Sequence, residues 1–317
     1  MIERIHEFVA RWLRQMRFYY KPDSRALYRE QLPRQYWTCL LFPFTGHGIF
    51  RFSDFTIQIP YRFFDMLATM CRISKLDAKI EWDGNTIVAH FSGFTFLSPG
   101  DNKLLYSSLQ YMVLNNSWRL PETPNGTQLV IDVGSHIGQF AVMAAKRGFH
   151  VHAIEPFSAF CQYISRNAEA NGVADRIHIH SVGLSNRSSL ITNKAVLREA
   201  AHCVHGLSDS ILDESIQMVD ASEYMRPFLK HQSVALLKSN CEGGEYDFFK
   251  DNKFLRLANP ERISMEFHRG AASLQSLFEQ NGYHVEAPNK DSETYKTGKG
   301  LLFAIRQDLG SRHISAI

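Results

Sequence analysis

Over the first twenty residues, hydrophobic positions recur at three- and four-residue intervals: Ile2, Ile5, Val9, Trp12, Leu13 and Met16 form a stripe, with arginines on the other side. Side chains so spaced share one helical face, so the period predicts an amphipathic helix. A different pattern follows over residues 35 to 100, which are rich in aromatic and β-branched side chains. Here Asp83-Gly84 separates Lys79–Trp82 from Thr86–Phe91. Asp-Gly tolerates the positive φ of a tight turn, so these flanks predict a β-hairpin. Lys103 to Leu114 reads as a helix and Pro121 to Gly126 as a linker.

After Gly126 short apolar runs alternate with helix-length segments. Strands are expected at Leu129–Asp132, His150–Glu155, Arg176–Val182, Val234–Leu237, Arg262–Phe267, His284–Glu286 and Leu301–Ile305. Phe140–Arg147 and Phe157–Asn171 read as helices between the first of them, and Ile216–Val219 as a further short strand. Alternation of this kind predicts βαβ units in a mostly parallel α/β sheet, with ligands at the carboxyl ends of its strands. The expected organisation is an α+β region over residues 1–124, an α/β domain over 125–308 and a tail over 309–317.

Composition narrows the function classes. The 35 basic and 32 acidic side chains are interspersed and sum to +3, so the broad positive field of a nucleic-acid binder is not expected. Cys39, Cys71, Cys161, Cys203 and Cys241 are an odd set without paired short spacing. That pattern argues against a disulfide framework and a zinc ribbon, and for a reducing cytoplasm. No apolar run of membrane-spanning length occurs. The N-terminal helix leaves two associations open, a homo-oligomer contact and peripheral membrane contact through residues 1–20.

The segment richest in chemistry is Val130-Ile-Asp132-Val-Gly134-Ser135-His136-Ile-Gly138-Gln-Phe140, a strand that ends in an acid and enters a helix through two glycines. Glycines let a backbone turn tightly against a ligand, and the acid can attract a cation such as the sulfonium and ammonium of S-adenosylmethionine. A dinucleotide fingerprint spaces its glycines differently. The next strand ends in Glu155, followed by Pro156 and Phe157, and this carboxylate can accept both hydroxyls of an adenosine ribose. Cofactor candidates are therefore Asp132, Gly134, Ser135, His136, Gly138, Glu155, Pro156 and Phe157.

These motifs, together with Lys238-Ser-Asn240-Cys241-Glu242-Gly243-Gly-Glu245 and Glu266-Phe267-His268, resemble the FkbM family of methyltransferases. The resemblance covers roughly residues 95 to 306. It implies a Rossmann-like class I sheet of seven strands, one antiparallel, and an O-methyltransferase that uses S-adenosylmethionine on hydroxyls of glycans or secondary metabolites. The family's usual aspartate is Asn240 in this chain, which keeps an acceptor but loses the charge.

His268 is the first candidate for accepting the hydroxyl proton, because an ordinary imidazole titrates near neutrality. Glu242, Glu266 and Asn240 complete the catalytic candidates. Two other readings stay open: a catalytically degenerate binding or scaffold protein, suggested by Asn240, and a nicotinamide-dependent oxidoreductase, in which Glu155 would hold a different ribose. No metal site is expected. His202, Cys203 and His205 lack a well-spaced fourth ligand and read as a turn, while His150/His152 and His178/His180 read as polar strand faces.

Overall fold

The chain divides into two compact units, one within residues 1–114 and the other from Asn115 onward. The computed structural model describes residues 22–309 except 33, 35–46, 53–55, 61–65, 83–84, 101, 103–104, 127 and 193–214. The helix expected over residues 1–20, the Asp83-Gly84 turn itself and residues 202–205 lie outside the described residues.

In the first unit, α1 (Pro22–Gln31) precedes the antiparallel pair β1 (His47–Arg51) and β2 (Thr56–Pro60). Helix α2 (Met66–Ile73) leads into an antiparallel meander of β3 (Lys79–Trp82), β4 (Thr86–Phe91) and β5 (Phe94–Pro99). Alternate residues of β4, namely Ile87, Ala89 and Phe91, are buried, the signature of a sheet with one covered face. Trp82 pairs with Ile87 across the predicted hairpin. The β4–β5 connection is a tight turn, in which Ser92 and Gly93 take φ of 51° and 79°, the left-handed pair of a primed turn.

Lys103–Leu114 departs from expectation. A short α3 (Leu105–Ser107) passes into a π-helix over Ser108–Leu114. Leu105 and Leu109 are buried, but Tyr111 and Leu114 are 55% and 51% exposed. The buried stripe is thus short, ending at Leu109, and the apolar residues beyond it are partly exposed.

The second unit carries β6 (Gln128–Val133), α4 (Gln139–Lys146), β7 (His150–Ile154), α5 (Ser158–Ala170) and β8 (Ile177–His180). Then come β9 (Gly183–Ser185), β10 (Ser189–Ile191), β11 (Ile216–Asp220), α6 (Ala221–Leu229) and β12 (Ser233–Ser239). It closes with α7 (Glu245–Phe248), α8 (Lys253–Ala258), β13 (Arg262–Phe267), α9 (Ala272–Gln280), β14 (Tyr283–Glu286), α10 (Glu293–Lys296) and β15 (Gly300–Arg306).

Its main sheet has seven strands in the order β14-β15-β13-β12-β6-β7-β8. Only β15 runs antiparallel to its neighbours, as the family resemblance implied. Every residue of β6 is buried, which explains its continuous apolar run. Phe248, Phe249, Phe254, Phe278 and Tyr283 pack in one cluster with Leu129, Ile131 and Val133. Burying each such side chain contributes roughly 1.5–3 kcal/mol. The strand expected at Ile216–Val219 exists but lies off this sheet, in a separate three-stranded sheet with β9 and β10. Among the described residues, no helix is long and apolar enough to cross a membrane.

Strand order reverses at β6, which has β7 on one side and β12 on the other. Such a reversal opens a crevice outside the carboxyl ends of the strands. Asp132, Glu155, Asn240 and His268 all lie at or just beyond the ends of β6, β7, β12 and β13.

Candidate active site

Asp132 is fully buried, and its register partner on β12 is Lys238. Oδ1 of Asp132 lies 2.8 Å from Lys238 Nζ, which also donates to the Gly134 carbonyl at 2.9 Å. The ammonium is 5.2 Å from the Trp118 ring centre and 5.9 Å from that of Phe140, within reach of cation–π attraction. The acid is therefore not the lone charge its motif suggested, because the chain supplies its own cation. A buried carboxylate without such a partner would cost several kcal/mol. Among the described residues, Oδ2 of Asp132 nevertheless has no hydrogen-bonding partner, an unspent acceptor at the strand end.

The glycines serve the protein's own packing first. Gly134 has φ of 75°, and a Cβ there would overlap the Asn240 carbonyl oxygen. Gly138, at φ of 80°, caps the start of α4, and a Cβ would lie 3.0 Å from Ile164 Cγ2 on α5. Between them, the Gly134 and Ser135 amides donate to the Ile154 carbonyl, and Ser135 Oγ donates to the Asp132 carbonyl at 2.7 Å. His136 takes φ of 52° in the same turn and packs on Phe160, ring centres 4.4 Å apart.

Glu155 closes the turn from the other side. Its Oε2 accepts the His136 amide at 2.9 Å, and its Oε1 accepts the Phe157 amide at 3.1 Å. Burial pushes this carboxyl up to about 7, against the pull of those two amides and Lys238. Each oxygen keeps capacity for another donor. Phe157 is buried and starts α5 as its extended cap residue, after Pro156.

The second cluster lies beyond β12 and β13. Asn240 donates its amide to the Val133 carbonyl at 2.9 Å, while its side-chain oxygen is buried without a partner. Nε2 of His268 lies 3.2 Å from Glu242 Oε2, and Nδ1 lies 3.0 Å from Glu245 Oε1. Burial alone would lower the imidazole, yet its hydrogen bonds to Glu242 and Glu245 outweigh that and raise it to about 9. The two carboxylates around His268 favour its protonated form, whereas the sequence suggested a free base there.

Glu266 does not join this cluster. Its nearest ionic partner is Lys299, at 3.8 Å. Cys241 sits beside Ser239 and Glu245, and its thiol is pushed well above the ordinary range by burial and by Glu245. It is not a reactive thiolate.

The histidine pairs on β7 and β8 are also not plain polar faces. His152 Nδ1 lies 2.8 Å from His180 Nε2, and His180 Nδ1 lies 3.1 Å from the Tyr224 hydroxyl. Both rings are buried beside Phe228 of α6.

Lys238 and Glu245, in the same motif as Asn240 and Glu242, join the site although the motif alone gave them no role. Their acceptor- and donor-rich positions were the available signal. Trp118 carried none, because nothing in its neighbourhood marks it as the cover of Lys238.

The orphaned acceptor of Asp132 and the spare capacity of Glu155 fit a ligand that brings donors to the ends of β6 and β7. A model of the methyltransferase FkbM domain matches residues 132–285. No curated protein matches the chain significantly. Among solved structures, similarity extends to an S-adenosylmethionine-dependent methyltransferase from Agrobacterium tumefaciens, 11% identical over 82% of this chain and 87% of that one, TM-score 0.41. The M. jannaschii protein TYW2, solved with S-adenosylmethionine, is 14% identical over 71% of this chain and 88% of its own, TM-score 0.41. Methyltransferase FkbM from Methylobacillus flagellatus KT is 16% identical over 64% of this chain and 54% of its own, TM-score 0.34. The domain match spans both clusters, from Asp132 through Glu155 to His268, so residues 132–285 of this chain match the domain of FkbM methyltransferases.

Proposed function

We propose that the protein is an O-methyltransferase acting on a hydroxyl of a small metabolite or glycan in the cytoplasm. The observation that carries this reading is the unpartnered, buried side-chain oxygen of Asn240, two residues from the Glu242–His268 pair. An acceptor hydroxyl placed there would donate to Asn240 Oδ1. S-adenosylmethionine supplies the activated methyl group when bound. Glu155 then orients it through ribose hydroxyls, and Asp132 Oδ2 receives a donor from its amino-acid end. Gly134, Ser135, His136, Gly138, Pro156 and Phe157 would complete the residues that hold it. Because the methyl donor is already activated, alignment of donor and hydroxyl supplies most of the acceleration.

Incubating the full chain with methyl-labelled S-adenosylmethionine and a panel of hydroxyl-rich acceptors tests the proposal. The expected result is label in an acceptor ether and release of S-adenosylhomocysteine. Transfer to nitrogen or carbon acceptors alone would overturn it. The amide at position 240 favours one other reading, a binding protein that retains the cofactor without turnover. That reading predicts bound cofactor and no labelled product.

A further inference from the structure

Glu245 is fully buried, and both of its carboxylate oxygens are engaged. Oε1 accepts the His268 backbone amide and lies at the same distance, 3.0 Å, from His268 Nδ1. Oε2 accepts the Gly243 amide at 2.9 Å and the Cys241 thiol at 3.4 Å. One side chain therefore clamps the loop after β12 to the end of β13. On the far side of the ring, Nε2 faces Glu242 Oε2 at 3.2 Å. Ionised carboxylates only accept hydrogen bonds, so a proton on Nδ1 satisfies the Glu245 contact, while a protonated Nε2 faces Glu242 at ion-pair distance. The side chain of Glu242 is 35% exposed, whereas that of Glu245 is 0% exposed. Of the two carboxylates, only Glu242 can meet a substrate.

The remaining charged or titratable neighbours leave this pattern intact. Arg269 donates to the Gly243 carbonyl at 2.8 Å and stacks on Tyr246, 4.6 Å from the ring centre. The Tyr246 hydroxyl donates to the Gly270 carbonyl and accepts the Arg269 amide. The Cys241 thiol stays protonated. Glu242 is the carboxylate of this cluster that reaches the surface.

We propose that Glu245 is a positioning residue which, through His268, makes Glu242 the proton acceptor of the reaction, with His268 acting as a hydrogen-bond donor and not as the base. This rests on the methyltransferase reading and deepens it. As the hydroxyl oxygen bonds to the methyl carbon, the carbon–sulfur bond breaks with its electron pair going to sulfur. The hydroxyl proton passes to Glu242, which returns it to solvent from its exposed side. The raised affinity of His268 for its proton agrees with the geometry.

Nitrogen-15 NMR of histidine-labelled full-length protein tests the positioning claim without any acceptor. In the parent, both His268 nitrogens should carry protons at pH 7 and titrate well above the ordinary histidine range. Glu245→Gln should lower that midpoint by about one to three pH units, the usual effect of one adjacent opposite charge. Should Glu245→Gln not fold, Glu242→Gln, at an exposed side chain, should still lower it. A neutral His268 at pH 7 in the folded parent, or a midpoint unmoved in a folded variant, overturns the claim.

Any acceptor found to be methylated gives the second arm. Glu242→Gln should lower kcat by about 10²- to 10⁴-fold, the range for losing a general base, and His268→Gln by much less. An active Glu242→Gln beside a dead His268→Gln would restore His268 as the base. Absence of oxygen methylation with every acceptor would count against the functional reading alone, because the NMR titration does not depend on it.

Discussion

Two groups of buried histidines in the second unit are driven in opposite directions. Between β7, β8 and α6, His152 and His180 hydrogen-bond to each other and to Tyr224, with Phe228 alongside. Burial, followed by neighbouring histidines, lowers them to about 4 and about 3. At the end of β13, burial pulls on His268 in the same sense, but Glu242 and Glu245 reverse the outcome and hold it near 9. Desolvation is common to both places, so the carboxylates decide. Burial favours the neutral form in the first group, and two carboxylates favour the charged form in the second, beside the candidate site.

The rule that a buried charge depends on its partner is broken most sharply at Lys238. Lys238→Met leaves Asp132 ionised and unpaired among apolar neighbours, and should destabilise the second unit by about 3–5 kcal/mol. Denaturant unfolding checks the loss. The double variant with Asp132→Asn should recover much of it, whereas a loss that persists would assign the effect to packing on Trp118 and Phe140.

Acid separates the two histidine groups next. The unfolded chain protonates His152 and His180 near 6.5, while the fold keeps them neutral to about 4 and about 3. The unfolded state binds more protons in that window, so stability falls as pH drops below about 6.5, by up to about 1.4 kcal/mol per pH unit for each ring. His180→Phe should flatten that slope in unfolding curves between pH 4 and 6.5, and an unchanged slope would exclude this pair as its source.

His268 carries the opposite and smaller slope. Its folded value near 9 lies above the ordinary 6.5, so its contribution is fully present below pH 6.5 and is lost as pH rises toward 9. Screening at half-exposed Glu242 keeps the effect below that of the buried pair. His268→Gln should remove this alkaline limb and leave the acid limb unchanged in the same unfolding series.

The contrast also marks how far the sequence could be read. Strands β6 to β8 and β12 to β15 were legible because each is a short apolar run between helices or turns, and their ends delivered Asp132, Glu155, Asn240 and His268 to one edge. What escaped reading depends on partners distant in the chain. His152 and His180 look like alternating polar positions until α6 brings Tyr224 and Phe228 over them. His268 looks like a base until Glu242 and Glu245 arrive from the loop after β12. Glu266 sits two residues from His268, yet Lys299, ahead of the antiparallel β15, is its nearest ionic partner. At Lys103–Leu114 the residue types suit a helix, but the buried stripe ends at Leu109 and Tyr111 and Leu114 are exposed.

Cofactor binding at the ends of β6 and β7 is the claim on which the rest depends, and isothermal calorimetry of S-adenosylmethionine with the parent and with Glu155→Ala tests it most directly. The parent should bind at one site. The folded variant should lose roughly 1.5–3 kcal/mol for each charge-assisted hydrogen bond to the ribose, about tenfold or more in affinity. Equal affinity in a folded Glu155→Ala, or no binding by the parent, would contradict the account.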